Sequence, residues 1–323
     1  LRQKETLLPK GSRSLNEKEI VYSHPSWFIQ RMEEIYGVDE TERMLMTNNT
    51  APKISIRVNE LRTTRGHWID EWVIQTGGDA VPSSLCNEGV VILTGGNPAL
   101  TPLYKEGMCT LQDESSMLVA CVLNPQPGMS VLDCCAAPGG KTTHLAELMK
   151  NQGSVLACDV HPHKIKLIDE NAKRLGTSII ETRVIDAREL HAHTDRQFDC
   201  ILLDAPCSGF GVIRRKPDIK WRKTNMEVDA LVEIQKELLN SIVSLLKPGG
   251  TLVYSTCTTE VKENQEQIDA FLTNHPEFTQ CSIHEILPSS IRERAKIGEG
   301  WVQILPHYFD TDGFFIAKLQ KIQ

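Results

Sequence analysis

Two cysteines stand out because each follows an apolar run and sits among small or polar residues. Cys207 lies in Asp204-Ala205-Pro206-Cys207-Ser208-Gly209, and Cys257 in Ser255-Thr256-Cys257-Thr258. A single cysteine is usually a small buried hydrophobe. Two of them, each just past a strand-like segment, point instead to covalent catalysis, in which a thiolate adds to an electron-poor carbon and splits one hard step into easier ones. A cytosine ring suits such a pair. Thiolate addition at carbon 6 makes carbon 5 nucleophilic, and afterwards the carbon 5 proton and the thiolate must both leave. A free thiol has a pKa of about 8.5, so a cationic neighbour helps, and Lys141 is a candidate. Asp204 can bond the cytosine amine and ring nitrogen 3, stabilising the charge that develops on addition. Spacing alone does not say which cysteine attacks.

A second set of residues can hold the electrophile. Asp133-Cys134-Cys135-Ala136-Ala137-Pro138-Gly139-Gly140-Lys141 joins a strand to a helix. Small residues let a ligand approach the backbone, and the helix N-terminus beyond favours a negative group such as a carboxylate. A P-loop requires G-x-x-x-x-G-K-[ST]. Gly140-Lys141-Thr142 matches its tail, but Cys135 stands at the first glycine position, and the dinucleotide pattern G-x-G-x-x-G is absent. A nucleoside without a pyrophosphate fits better. Asp159 then ends the second strand, where an acid accepts from ribose hydroxyls, and Asp186 ends the third, in reach of an adenine amine. Each aspartate alone reads as a helix N-cap; three in register after successive strands are harder to explain that way.

The elements that position these residues alternate. Strands are expected at 130–133, 154–159, 182–186, 199–204 and 251–256, with helices near 141–150, 163–175, 226–246 and 263–274. Two late strands, the last at 314–318, complete a count of seven. Repeated βαβ units predict an α/β fold with a mostly parallel sheet and helices on both faces. Upstream, helices near 26–36, 39–48 and 64–75 and strands at 54–59 and 90–93 suggest a small α+β domain. The expected organisation is a linker over 1–22, the small domain over 23–106 and the main domain over 107–323.

The chain has 323 residues, of which 40% are hydrophobic and 24% charged, a globular composition. No apolar run is long enough to span a bilayer, and Leu1 to Lys10 do not resemble a signal peptide. The ten cysteines form no C-x-x-C pair, so neither a disulfide framework nor a zinc site is expected, and a reducing cytoplasm is the simplest home. The net charge of −7 argues against a polyanionic partner. Arg214 to Lys223, however, holds six basic residues and one acid and directly follows the Cys207 segment. Such a run is usually a solvated loop; here it is placed to meet single-stranded RNA, with Trp221 either stacking on a base or anchoring the loop.

The segments DCCAAPGGKTTHL, DAPCSGFGVIRRKPDIKW, LLKPGG and YSTCT resemble the RNA 5-methylcytosine methyltransferase family that includes the Sun/RsmB and NSUN proteins, as do SHPSW (23–27), ISIRVN (54–59), LQDESSM (111–117) and DTDGFFIAKL (310–319). The resemblance runs from about Ser23 to Leu319. It implies a Rossmann-like class I methyltransferase fold, S-adenosylmethionine as cofactor, an RNA substrate, no metal and a monomer. SHPSW is most similar to the bacterial Sun/RsmB branch, which methylates 16S ribosomal RNA and carries an N-terminal helical NusB-like domain; that domain is expected to be absent here, with Leu1 near the end of its last helix. By resemblance Cys257 is the nucleophile and Cys207 assists product release. Cys135, Ala136, Ala137, Pro138, Gly139, Gly140, Lys141, Asp159, Lys164, Asp186 and Asp204 align with cofactor positions. Arg57, Asn59, Arg214, Arg215, Lys216, Lys220, Trp221 and Arg222 would meet RNA. A DNA methyltransferase of the same fold is the alternative enzyme, but the cysteines are only 50 positions apart and 66 residues follow, leaving little room for a large target-recognition region. A non-catalytic RNA-binding assembly factor is the other alternative, and retention of both cysteines argues against it.

Overall fold

A computed structural model describes residues 14–322 of the protein. Part of the expected linker, residues 1–13, lies outside this range. The remainder is helical. Leu15–Tyr22 (α1) opens on a capping box: the Ser14 hydroxyl accepts from the Glu17 N–H, and the Glu17 carboxylate accepts from the Ser14 N–H. Ser26–Tyr36 (α2) ends where Gly37 adopts φ +81°, and Val38–Asn48 (α3) follows. Their apolar faces, with Phe28, Ile29, Met32, Met44 and Leu45, pack on Phe210, Ile213, Val228 and Leu305. These helices therefore lean on the second half of the chain, whereas the sequence had grouped them with the small domain.

A four-stranded antiparallel sheet comes next, built from Ile54–Val58 (β1), Ala80–Pro82 (β2), Gly89–Ile92 (β3) and Cys109–Leu111 (β4) in the order β2-β3-β1-β4. Helix Arg65–Thr76 (α4) lays Trp68 and Trp72, stacked at 5.5 Å, over Ile56, Val58 and Val90. Because β4 pairs with β1, the sheet continues past the expected boundary at residue 106.

The large sheet uses Ser130–Asp133 (β5), Ser154–Asp159 (β6), Ile180–Val184 (β7), Phe198–Asp204 (β8), Leu246–Thr256 (β9), Phe278–Gln280 (β10), Lys296–Ile297 (β11), Trp301–Ile304 (β12) and Phe314–Lys321 (β13). Five strands in the order β7-β6-β5-β8-β9 are parallel, and β13, β12, β11 and β10 add antiparallel pairs beside β9. Among the described residues this sheet has nine strands where seven were expected; β10 and β11 are three and two residues long, too short to leave a period in the sequence. Helices Glu114–Leu123 (α5), Gly140–Leu148 (α6), Pro162–Leu175 (α7), Asn225–Ser241 (α8) and Gln265–Asn274 (α9) enclose the sheet, and two apolar cores lie on its opposite faces. Helix α5 was not foreseen: Met117 to Leu123 are apolar and, apart from the half-buried Cys121, buried all round, so no amphipathic period marks them. Register aligns the strand ends. Asp133 lies opposite Ala157 and Leu202, Asp159 opposite Val184, and Asp204 opposite Ser255. Strand β7 stops at Val184, so Asp186 sits in the turn beyond it.

Candidate active site

Asp204 closes β8, and Cys257 directly follows β9, its parallel neighbour. The loops leaving these strands bring Cys207 Sγ to 3.5 Å from Cys257 Sγ. Several bonds clip the loops together. The hydroxyls of Ser208 and Thr258 are 2.7 Å apart, and the Ser208 N–H donates to Glu263 Oε2 at 2.8 Å. The Gly211 N–H donates to the Cys257 carbonyl at 3.0 Å. Glu263 is fully buried and also accepts from Gln235 Nε2 at 2.9 Å; burial lifts its carboxyl above the usual range. Gly211 is where two further backbones converge: a Cβ there would meet the Gly313 carbonyl oxygen at 2.0 Å and that of Cys257 at 2.8 Å.

Beside the thiols, Lys141 Nζ donates to Asp204 Oδ2 at 2.8 Å, and the Ser255 hydroxyl donates to Asp204 Oδ1 at 2.7 Å. The Phe314 ring lies under the ammonium, 4.8 Å from Nζ. Burial pulls the Lys141 pKa down, but the charge and hydrogen bond of Asp204 outweigh it and hold the ammonium above its ordinary value. The hydrogen bond with Cys207 holds the Cys257 thiol below its ordinary pKa; burial and Asp204 oppose this, and Lys141 favours it. Cys207 moves the other way, pushed well above its usual value by the bond to Cys257 and by burial. The two sulfurs thus share one hydrogen bond, and the Lys141 ammonium favours the charged form of Cys257.

A cavity of about 560 Å³ adjoins these groups. Cys135, Ala136, Ala137, Pro138, Gly140 and Lys141 line it, as do Asp133 and Asp204. Gly139 turns the chain into α6 at φ +99°, with Ile168 Cα 3.1 Å from where a Cβ would sit. The helix start has no side-chain cap, so its first N–H groups remain available to a ligand. Asp133 is fully buried: Oδ2 accepts from the Thr142 hydroxyl at 2.7 Å, while Oδ1 has no hydrogen-bond partner among the described residues. Burial, reinforced by Asp204, pushes its pKa up to about 7.

Asp159, Lys164 and Asp186 do not line this cavity. Asp159 Oδ1 accepts from the His161 N–H at 2.9 Å, a turn-capping bond at the start of α7, and Lys164 lies half-buried in the first turn of that helix. Asp186, expected in reach of an adenine amine, is bonded to Arg188, whose Nη2 donates to Oδ2 at 2.6 Å and holds the carboxyl below its ordinary pKa.

The expected RNA set divides. Arg57 is fully buried and pairs with Glu147 at 2.8 Å; Asn59 is buried and donates to the Gly107 and Leu175 carbonyls. Arg214 is buried against Asp310 at 2.6 Å and the Ala51 carbonyl, and Lys220 is buried with its ammonium 3.1 Å from Asn49 Oδ1. These four side chains are taken up by packing, so in this structure they are not presented to RNA, contrary to expectation. Lys216, Trp221 and Arg222 are exposed, Trp221 by 54%. Arg215 bridges Asp113 and Asp312, 2.8 Å from each. This triad joins three segments distant in sequence at the cavity wall, and burial together with Asp113 pushes Asp312 up to about 7. The places of Asp113 and Asp312 were missed because no spacing links them to Arg215; only the fold does.

Two family models and several known proteins match this chain. A family model described as 16S rRNA methyltransferase RsmB/F matches residues 120–320, and one described as the RsmF/B-like ferredoxin-like domain matches residues 24–97. The probable ribosomal RNA small subunit methyltransferase B of Bacillus subtilis (strain 168) is 46% identical over 301 residues, covering 93% of this chain and 66% of that protein. The protein of that name from Synechocystis sp. is 37% identical, covering 99% of this chain and 71% of that one. Among solved structures, the crystal structure of PH0851 superposes with a TM-score of 0.88 at 38% identity, over 97% of this chain and 69% of that one. A methyltransferase homolog from Pyrococcus horikoshii superposes with a TM-score of 0.82 at 28% identity, over 97% of this chain and all of that one.

Proposed function

The chain belongs to the 16S rRNA methyltransferase RsmB/F family, and on that premise we propose that it transfers a methyl group from S-adenosylmethionine to carbon 5 of a cytosine in RNA, most specifically in 16S ribosomal RNA. The observation that carries this reading is the Cys207–Cys257 pair, 3.5 Å apart beside the Lys141–Asp204 ion pair. The cavity residues fit the cofactor. The uncapped start of α6 suits a carboxylate, and the orphaned Asp133 Oδ1 suits an ammonium; both belong to the methionine portion of that molecule. Asp159 would serve the ribose from the end of β6. Bound there, the cofactor supplies an electrophilic methyl on a sulfonium.

The protein's own groups carry the remaining steps. Cys257, favoured as thiolate, adds to carbon 6 of the cytosine, and the ring's carbon 5 becomes the nucleophile. Asp204, fixed by Lys141 and Ser255, orients the ring by accepting from the cytosine amine, and the Lys141 ammonium beside it offsets the negative charge that addition develops over the ring. After methyl transfer Cys207, having first released its own proton to solvent, takes the carbon 5 proton; the carbon 5–carbon 6 double bond re-forms and Cys257 leaves as thiolate. Cys207 thereby assists product release.

RNA containing 5-fluorocytosine tests the reading, because fluorine at carbon 5 cannot leave as a proton does. Wild-type protein with S-adenosylmethionine is expected to form a covalent RNA adduct stable to denaturation. Cys257→Ala should form none, and Cys207→Ala should accumulate adduct even on ordinary RNA. Adduct formation by Cys257→Ala but not by Cys207→Ala would reverse the roles; absence of any wild-type adduct would return the protein to a non-catalytic RNA-binding reading.

A further inference from the structure

Away from the thiol pair, three ligand-type side chains meet where the small sheet joins the main domain. Glu88 precedes β3, Cys121 lies on α5, and His144 lies on α6. One donor atom from each falls within 4.8 Å of the other two. Cys121 Sγ is 3.2 Å from Glu88 Oε1, and His144 Nε2 is 2.6 Å from the same oxygen. His144 is 1% exposed, and neither of its ring nitrogens has an aligned hydrogen bond among the described residues. The Nε2–Oε1 approach is thus close in distance but not directed as donor to acceptor, which leaves a buried imidazole lone pair unspent.

We propose that Glu88, Cys121 and His144 bind a zinc ion that fastens the small sheet to helices α5 and α6. The donor set is one carboxylate, one thiolate and one imidazole, the mixture zinc accepts. Zinc bonds of about 2.0–2.3 Å place tetrahedral ligand atoms roughly 3.3–3.8 Å apart, a spacing that these side chains reach by small rotations. Two anionic ligands neutralise the dication inside a buried site. Binding displaces the Cys121 thiol proton to solvent. A cavity of about 570 Å³ lined by Glu88, His144 and Glu60 adjoins the site and admits water as a fourth ligand. The site is separate from the thiol pair and the Lys141–Asp204 ion pair, so it does not depend on the proposed reaction.

The full chain, stripped with a chelator, is titrated with cobalt(II) and then with zinc in competition with a chromophoric chelator. Native mass spectrometry gives the stoichiometry. The expected result is one metal per chain and a thiolate-to-cobalt charge-transfer band that zinc abolishes. Cys121→Ser, a near-isosteric change in a half-buried position, should remove the band and weaken zinc binding by roughly 100-fold or more, while circular dichroism stays native. Glu88→Gln should weaken binding yet keep the band. Cys281→Ser should change nothing. Failure to bind one equivalent of zinc would overturn the proposal and leave a buried histidine–carboxylate pair. A band that survives Cys121→Ser and is lost in Cys207→Ser would overturn it too, by assigning the metal to the catalytic thiols.

Discussion

A buried carboxylate with one orphaned oxygen is unfavourable unless something cationic meets it, and Asp133 is such a group at the cavity. Its folded pKa of about 7 lies well above the ordinary 3.8. The folded chain therefore binds this proton more tightly than the unfolded chain does. Stability falls as pH rises from about 4 to about 7, and the full penalty, roughly 4 kcal/mol at most, applies above that window. Asp133→Asn should accordingly raise the melting temperature at pH 8 more than at pH 5, and weaken S-adenosylmethionine binding at both. Equal shifts at the two pH values would refute the assignment. At this scale the sequence was readable where chemistry and local order coincide: Cys207, Cys257, Lys141 and Asp204 each announce themselves beside a strand end, and the structure brings all four together. It was not readable for Asp113 and Asp312, which acquire meaning through Arg215, or for Glu88, Cys121 and His144, whose wide separation gives no ligand spacing.

Elements set how closely the reactive groups approach. The Cys207 and Cys257 loops are fixed to each other by the Ser208–Thr258 hydroxyl pair and the Gly211 N–H bond, and Gly211 has no room for a side chain. Gly211→Ala should push the Cys207 loop off the Cys257 and Gly313 backbones. Overpacking of this kind costs about 1–3 kcal/mol, and a displacement near 1 Å at reacting atoms can cost about 100-fold in rate. The expected outcome is a modest drop in melting temperature with a much larger drop in the rate of 5-fluorocytosine adduct formation. A proportionate loss of both would mean that the glycine serves folding alone. Strand periods and glycine stops made most elements legible, with Ser154–Asp159 matching to the residue. Helix α5 and strands β4, β10 and β11 were hidden, the first by uniform burial and the others by brevity.

Over the whole molecule, a net charge of −7 means that RNA must be met by a local concentration of cations. Of the basic run, Lys216 and Arg222 are exposed and Lys223 half-exposed, while Arg214 and Lys220 are buried in the packing. Replacing Lys216, Arg222 and Lys223 with alanine should weaken RNA binding and reduce the slope of log affinity against log salt by about 2, at about 0.7 per phosphate contact for single strands. Arg214→Ala should leave that slope alone and lower the melting temperature, because it strips a buried guanidinium from Asp310. An unchanged slope in the triple variant would move the RNA surface elsewhere. The βαβ core could be read from the sequence, but the sharing of α2 and α3 with the second half could not, since an amphipathic face does not name its partner. The buried Arg57 extends that sharing. From β1 it reaches Glu147 and Thr143 on α6 and donates to the Gly140 carbonyl at 2.7 Å, in the turn that cradles the cofactor cavity. Cutting the chain between the two sheets would strand Glu147 as an uncompensated charge, a loss of about 3–5 kcal/mol for a buried pair. The second half is thus not a detachable cassette: a chimera that takes its front sheet from a relative must bring a matching arginine, or Glu147 and the Gly140 turn lose their buried partner.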